Sequence, residues 1–233
     1  MTCYLCFWLI GPMGAFGGPS GHEYRRTGQI PTRSGVLGLV GAAMGIRRTD
    51  AEGQNALRAL GVSVAQYRVG AGFRDFHTVQ AVPSARIKAP ETQAQALEAL
   101  DPKDNAVITR RDYVTDCAYA IALWKMRDEA PDLNDIKTAL QQPVFVPYLG
   151  RKSCPVAHPL APIDISSNDS ISVFHHLDHP DLPDLPTLPQ LVTTDEAGQG
   201  HRVDWMMDDP VDRDLWHFAR RAAHTTYIKG EQT

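Results

Sequence analysis

The chain is predicted to be an α+β protein: a ferredoxin-like βαββαβ core, an extended thumb hairpin, and a small irregular C-terminal part rich in β-structure. Three observations predict this. Up to residue 149 the apolar patterning runs strand, helix, strand, strand, helix, strand, which is the split βαβ order shared with RNA-recognition folds. Residues 75–110 hold few large apolar side chains and are punctuated by Pro83, Pro90 and Pro102, so this stretch leaves the core. Residues 178–190 hold four prolines, which excludes regular structure there. The chain's 233 residues suffice for a substantial core. The expected division is a ferredoxin-like domain over 1–160, with the thumb at about 78–110, and an acidic, Pro-rich segment over 161–233.

The elements follow in order. Residues 2–10 are apolar on both faces and end at Gly11-Pro12, as a buried central strand would. A Gly- and Pro-rich loop follows through Pro31. Thr32 is a suitable N-cap for a helix whose apolar face is Val36, Leu37, Val40, Ala43 and Met44. Gly38, Gly41 and Gly45 each cost that helix about 1 kcal/mol, which makes sense if it lies close to another backbone. Asp50 caps a second short helix ending at Leu60-Gly61, and Val62–Val69 is a strand. The excursion has room for a helical turn at Thr92–Leu100. Tyr113, Cys117, Tyr119, Ile121 and Leu123 share one parity of a long strand. Asp132 caps a helix carrying Leu133, Ile136 and Leu140, and Val144-Phe145-Val146 is expected to be the last strand of the unit. In the tail, short strands are expected at Ile171–Phe174 and His201–Trp205, and a short helix at Leu215–Ala223.

Composition narrows the function. Four cysteines are too few for a disulfide framework, and no apolar stretch approaches the roughly 20 residues that span a bilayer. The apolar run Cys3–Ile10 has no Lys or Arg before it and no cleavage pattern after it, so it does not read as a signal peptide. A cytoplasmic protein without a membrane partner is expected. The net charge of −4 divides into +4 over residues 1–160 and −8 over 161–233, a basic body with an acidic tail. The basic part suits a polyanion, and the acidic part should face away from it or meet a protein. Arg outnumbers Lys by 17 to 6, and the planar guanidinium matches phosphate geometry.

No arrangement for nucleotide hydrolysis or a Ser-His-Asp triad is legible. The glycine loop after the first strand lacks the Gly-Lys-Ser/Thr ending of a P-loop, and no cofactor is expected. His175, His176 and His179 sit without a Cys or carboxylate partner at ligand spacing, so no metal site is expected. Cys3 and Cys6 point to opposite faces of a strand, and Cys3, Cys6, Cys117 and Cys154 read as buried thiols. Arg25, Arg26, Thr27 and Arg33 lie near the N-terminus of the first helix. Arg110 and Arg111 lie where the excursion rejoins the core, and Gly150, Arg151, Lys152 and Ser153 follow the expected last strand. Their common place at strand ends predicts one basic surface that would hold a bent single strand by its backbone.

Several stretches together resemble a known family: Gly11-Pro12 with Phe16-Gly17-Gly18-Pro19; Arg26-Thr27 and Pro31–Leu39; Asp75-Phe76-His77-Thr78-Val79; Ile108–Tyr113; and Tyr148–Pro155. The series is similar to the CasD subunits of the type I-E CRISPR surveillance complex, Cascade. The resemblance covers roughly residues 3–160. It implies a RAMP-type ferredoxin-like fold whose thumb projects from the core. It also implies a subunit that grips the 5′ handle of the CRISPR RNA, contacts the CasC backbone and the large subunit CasA, and meets target DNA only through the complex. The handle contacts it implies are Arg25, Arg26, Thr27, Arg33, His77, Arg110, Arg111, Gly150, Arg151, Lys152 and Ser153. Cleavage of the precursor falls to another subunit in that family, so no catalytic residue is expected. The alternative is a metal-independent endoribonuclease, as in the related type I-C protein, with His77 as acid or base and Lys88 or Arg110 stabilising charge. One departure is Gly14-Ala15-Phe16, where the family usually carries Gln-Ser-Trp.

Overall fold

The computed structural model describes residues 1–18, 21, 23–80, 82, 86–101 and 106–228. Pro19, Pro83 and Pro102 therefore lie outside the described residues. The first strand, β1 (Thr2–Gly14), is followed by the two-residue β2 (Tyr24–Arg25) and two helices, α1 (Arg33–Ala43) and α2 (Ala51–Arg58). Next come β3 (Leu60–Arg68), β4 (Gly72–Val79), α3 (Gln93–Glu98), β5 (Val107–Lys125) and α4 (Leu133–Gln141). The tail adds β6 (Ile163–Ser167), a 3-10 helix at Ser172–His176, β7 (Leu191–Thr194), β8 (Arg202–Asp212) and β9 (His217–Tyr227).

One sheet runs through the molecule in the order β6-β1-β5-β3-β7-β9-β8, with β2 and β4 both pairing with β5. Its first four members are the ferredoxin-like arrangement, every pair antiparallel. The fourth core strand is β6, and not Val144-Phe145-Val146. Those three side chains are exposed, so the segment has nothing to bury as a strand and runs as a loop beside α1, with Val144 N–H donating to Ala43. The core sheet therefore extends past residue 160, and β7 carries it on into the tail. The tail is more regular than expected. Residues 171–174 form helical turns in place of a strand, and Leu215–Ala223 belongs to a turn and to β9 in place of a helix.

The helices begin where side chains supply the caps. Thr32 accepts from Gly35 N–H, Asp50 from Gly53, Thr92 from Gln95, and Asp132 from Asn134. α1, α2 and α4 cover one face of the sheet, burying Val36, Leu37 and Val40 against Leu5, Phe7, Leu9, Tyr119 and Ile121. The opposite face carries Tyr4, Trp8, Tyr67 and Ala120, and is covered by Phe174, Leu177, Leu182 and Leu185 from the Pro-rich segment. The helix glycines make room for side chains and not for a backbone. A Cβ at Gly41 would lie 2.8 Å from Leu57, and one at Gly38 would lie 3.3 Å from the Arg213 guanidinium.

β5 serves two purposes. Its C-terminal half lies between β1 and β3, and its N-terminal half pairs with β4 from Val107 to Val114. The changeover falls at Asp116, which takes a left-handed φ of 46°. The hairpin thus starts at Gly72, ahead of residue 78, and continues a core strand without a joint.

Candidate nucleic-acid interface

Three elements meet at the base of the hairpin. β2 pairs in parallel with β5, setting Tyr24 beside Arg110 and Arg25 beside Arg111. β4 lies on the other side of β5, with Asp75 opposite Arg111 and His77 opposite Thr109. The loop from Tyr148 to Pro155 closes against the end of β1, where Ala15 N–H donates to Leu149 carbonyl at 3.0 Å. Gly150 is required there: its φ is +86°, and a Cβ would run into the Ala15 carbonyl.

Arg151 fastens these parts together. Its guanidinium donates to the carbonyls of Asp112 at 3.1 Å and Arg25 at 3.0 Å, and stacks 4.7 Å from the centre of the Tyr113 ring. Arg25 and Arg111 therefore reach the same corner as the Gly150-Arg151-Lys152-Ser153 loop. Lys152, Ser153, Arg25 and Arg26 are exposed there.

Strand pleating divides the ribbon into two faces. Arg25, Arg111, Tyr113, Asp75 and His77 share one by register. Arg110 is on the other, between the Tyr24 and Phe76 rings at 5.2 and 5.4 Å, and is ion-paired with Glu23. The expectation that Arg110 and Arg111 form one surface is corrected accordingly. On Arg110's face, Arg74 binds Asp112 at 2.6 Å. The two hydrogen bonds from Arg74 hold the Asp112 carboxyl below the usual carboxylate range against partial desolvation, and the Arg26 and Arg151 charges act in the same direction.

One further expectation is overturned. Arg33 is not on the basic surface. It is 6% exposed, and its guanidinium is spent on Asp195 at 2.8 Å, Asp209 at 2.9 Å and the carbonyls of Arg58 and Leu60. The Thr27 hydroxyl holds the glycine loop, accepting from Phe16 N–H at 2.7 Å and donating to Gly28 carbonyl at 2.9 Å. In the acidic tail, Asp195, Asp208 and Asp209 enclose Arg33, Arg58 and Arg221.

Cys3, expected to be buried, is exposed near the start of β1, whereas Cys6, Cys117 and Cys154 are buried, and burial above all pushes Cys117 up to about 11 and Cys6 up to about 12. Among the described residues no three His, Cys, Asp or Glu side chains converge as metal ligands would. No helix among them is long and apolar enough to cross a membrane. Tyr24, Arg74, Phe76 and Tyr113 were missed as members of the site. The run Phe73-Arg74-Asp75-Phe76-His77 mixes aromatic and charged residues on both parities, so no period-2 signal in it tells the two faces apart.

The family model for CRISPR-associated protein (Cas_Cas5) matches residues 4–224. The CRISPR system Cascade subunit CasD of Escherichia coli (strain K12) is 36% identical over 175 residues, covering 69% of this chain and 70% of that protein. A solved CRISPR RNA-guided surveillance complex contains a chain with a TM-score of 0.67 and 27% identity, over 97% of this chain and 90% of that one. A crystal structure of a Cas protein shares the fold at a TM-score of 0.63 and 24% identity, over 98% of this chain and 96% of that one. With the ferredoxin-like sheet, its long hairpin and a family match spanning nearly all its length, the chain belongs to the CRISPR-associated protein (Cas_Cas5) family.

Proposed function

We propose that this chain is a non-catalytic subunit of a Cascade-type surveillance complex that grips the 5′ handle of the CRISPR RNA. In this reading it also docks the CasC backbone and the large subunit CasA, and sequence specificity toward DNA comes from guide pairing. The observation that carries the reading is the meeting of Arg25, Arg111 and the Gly150–Ser153 loop at one corner, with Arg151 bonded to the carbonyl of Arg25. Exposed cations on a rigid strand pair suit phosphates, and Tyr24 and Phe76 on the reverse face offer flat surfaces to bases.

The endoribonuclease alternative would use His77 with Lys88 or Arg110 as the stabilising cation. Pleating sets Arg110 on the opposite face from His77, against Phe76, while Arg25 and Arg111 share His77's face, so the two readings are separated by activity and not by geometry. The test is to co-purify the chain with tagged partner subunits, sequence the bound RNA, and incubate the chain with repeat RNA in EDTA. Retention of RNA with an intact 5′ handle supports the proposal. Specific metal-independent cleavage that is lost in His77→Ala overturns it.

A further inference from the structure

A cleft of about 1120 Å³ opens between the outer face of α1, the Phe145–Lys152 segment and the β8–β9 turn. Its size is close to the upper end of the range of about 300–1,000 Å³ typical of small-molecule pockets, so its lining and not its volume says what it takes. Its lining contains Arg47, Arg48, Lys152 and Arg213 and no carboxylate. That is a one-sided charge in a chain whose net charge is −4. Phe145, Tyr148, Trp216 and Phe218 supply flat apolar walls, and the first three are 42%, 38% and 54% exposed.

Among the described residues no carboxylate forms an ion pair with these cations. The Arg48 guanidinium stacks 4.2 Å from the centre of the Trp216 ring. Arg213 donates to the Ser34 carbonyl at 2.6 Å, while its Nε is buried without a partner among the described residues. Burial, then the Arg48 and Arg33 charges, disfavour the charged form of Arg213, a strain that an arriving anion relieves. Gly38 leaves the space this guanidinium fills. Trp216 sits at a φ of 54°. That left-handed conformation is strained for a bulky residue, and here it presents a large ring at the cleft.

We propose that this cleft receives a single-stranded RNA segment, its bases stacking on Trp216 and Tyr148 and its phosphates neutralised by Arg48, Arg213 and Lys152. The inference rests on the reading of the chain as an RNA-gripping subunit and extends it to the tail. Gly150 and Lys152 line both the cleft and the corner described above, so one strand can pass from one to the other. Cations beside half-exposed aromatic rings together favour RNA over an acidic peptide, which would use only the charge.

The test uses the assembled complex carrying RNA substituted with 4-thiouridine, irradiated and mapped by mass spectrometry. Crosslinks to the peptides containing Tyr148 or Trp216 are expected. Trp216→Ala, at a half-exposed position, should weaken RNA retention about fivefold or more, and Arg48→Ala should also weaken it. Trp205→Ala removes the matching pair at Arg220, 4.4 Å from its ring and outside the cleft, and should leave retention unchanged. RNA retained normally by Trp216→Ala, with crosslinks confined to β2, β4 and β5, overturns this inference and leaves the proposed function standing. A partner subunit's peptide crosslinked into the cleft through a photoreactive residue at position 216 also overturns it. A wild-type complex without RNA overturns the proposed function and this inference together.

Discussion

The Arg151 guanidinium lies 3.0 Å from the main-chain carbonyl of Arg25, 126 residues earlier in the chain. A side chain expected to hold phosphate is instead holding the strand that presents Arg25. Arg151→Ala should destabilise the fold by about 1–3 kcal/mol, the range for hydrogen bonds to a charged group. The melting temperature should fall by a few degrees in a thermal melt, and RNA retention should fall with it. Arg151→Lys should rescue little, because an ammonium lacks the planar fork that reaches two carbonyls while stacking on Tyr113.

Arg111→Ala and Arg25→Ala should each weaken RNA retention and flatten its dependence on salt, by about 0.7 in log–log slope for each phosphate of a single strand that is no longer neutralised. Arg110→Ala should act differently. It removes an ion pair with Glu23 and the packing between Tyr24 and Phe76, so its effect should appear more in hairpin stability than in the salt slope. Salt titrations of RNA release from the three variants separate the faces; identical slopes would contradict the assignment.

Arg33→Met should be among the most damaging single changes, costing about 3–5 kcal/mol, because it leaves the enclosed carboxylates of Asp195 and Asp209 short of a cation. Chemical denaturation measures this directly. Any loss of RNA binding in this variant should follow its loss of folded protein.

Acid should loosen the same network. Burial alone would raise the Asp209 carboxyl, but the hydrogen bonds from Arg58 and the Arg33, Arg58 and Arg221 charges outweigh it and hold Asp209 below its ordinary value. A carboxylate lowered by folding contributes stability above about pH 4, and that contribution is lost as the pH falls through the lowered folded value. Asp209→Asn should therefore reduce stability at neutral pH and show a shallower acid decline than the unsubstituted chain, measured by melts from pH 7 to 3.

The sequence made the caps and the long strand legible because their signals are local. Thr32, Asp50 and Asp132 cap as their positions imply, and the parity of Cys117, Tyr119, Ile121 and Leu123 matches the helix-covered face, with Ala118, Ala120 and Ala122 buried on the other. What eluded it was non-local. Val144-Phe145-Val146 has the composition of a strand, yet β6 occupies the place beside β1. Nothing within a few residues of Arg33 shows that Asp195, Asp208 and Asp209 will close around it, since those partners lie more than 160 positions away. The arginines at strand ends were legible as a group, whereas their division between two faces followed only once the register with β4 was known.

The way the tail is woven into the sheet governs when this molecule can exist at all. Ile163–Ser167 borders one side of Thr2–Gly14, and Leu191–Thr194 borders Leu60–Arg68. A nascent polypeptide halted at residue 160 would show bare amide rows along both margins, each ready to recruit a stranger. Closure of the sheet is thus a late step of folding, completed only once the far strands are free to seal the two seams.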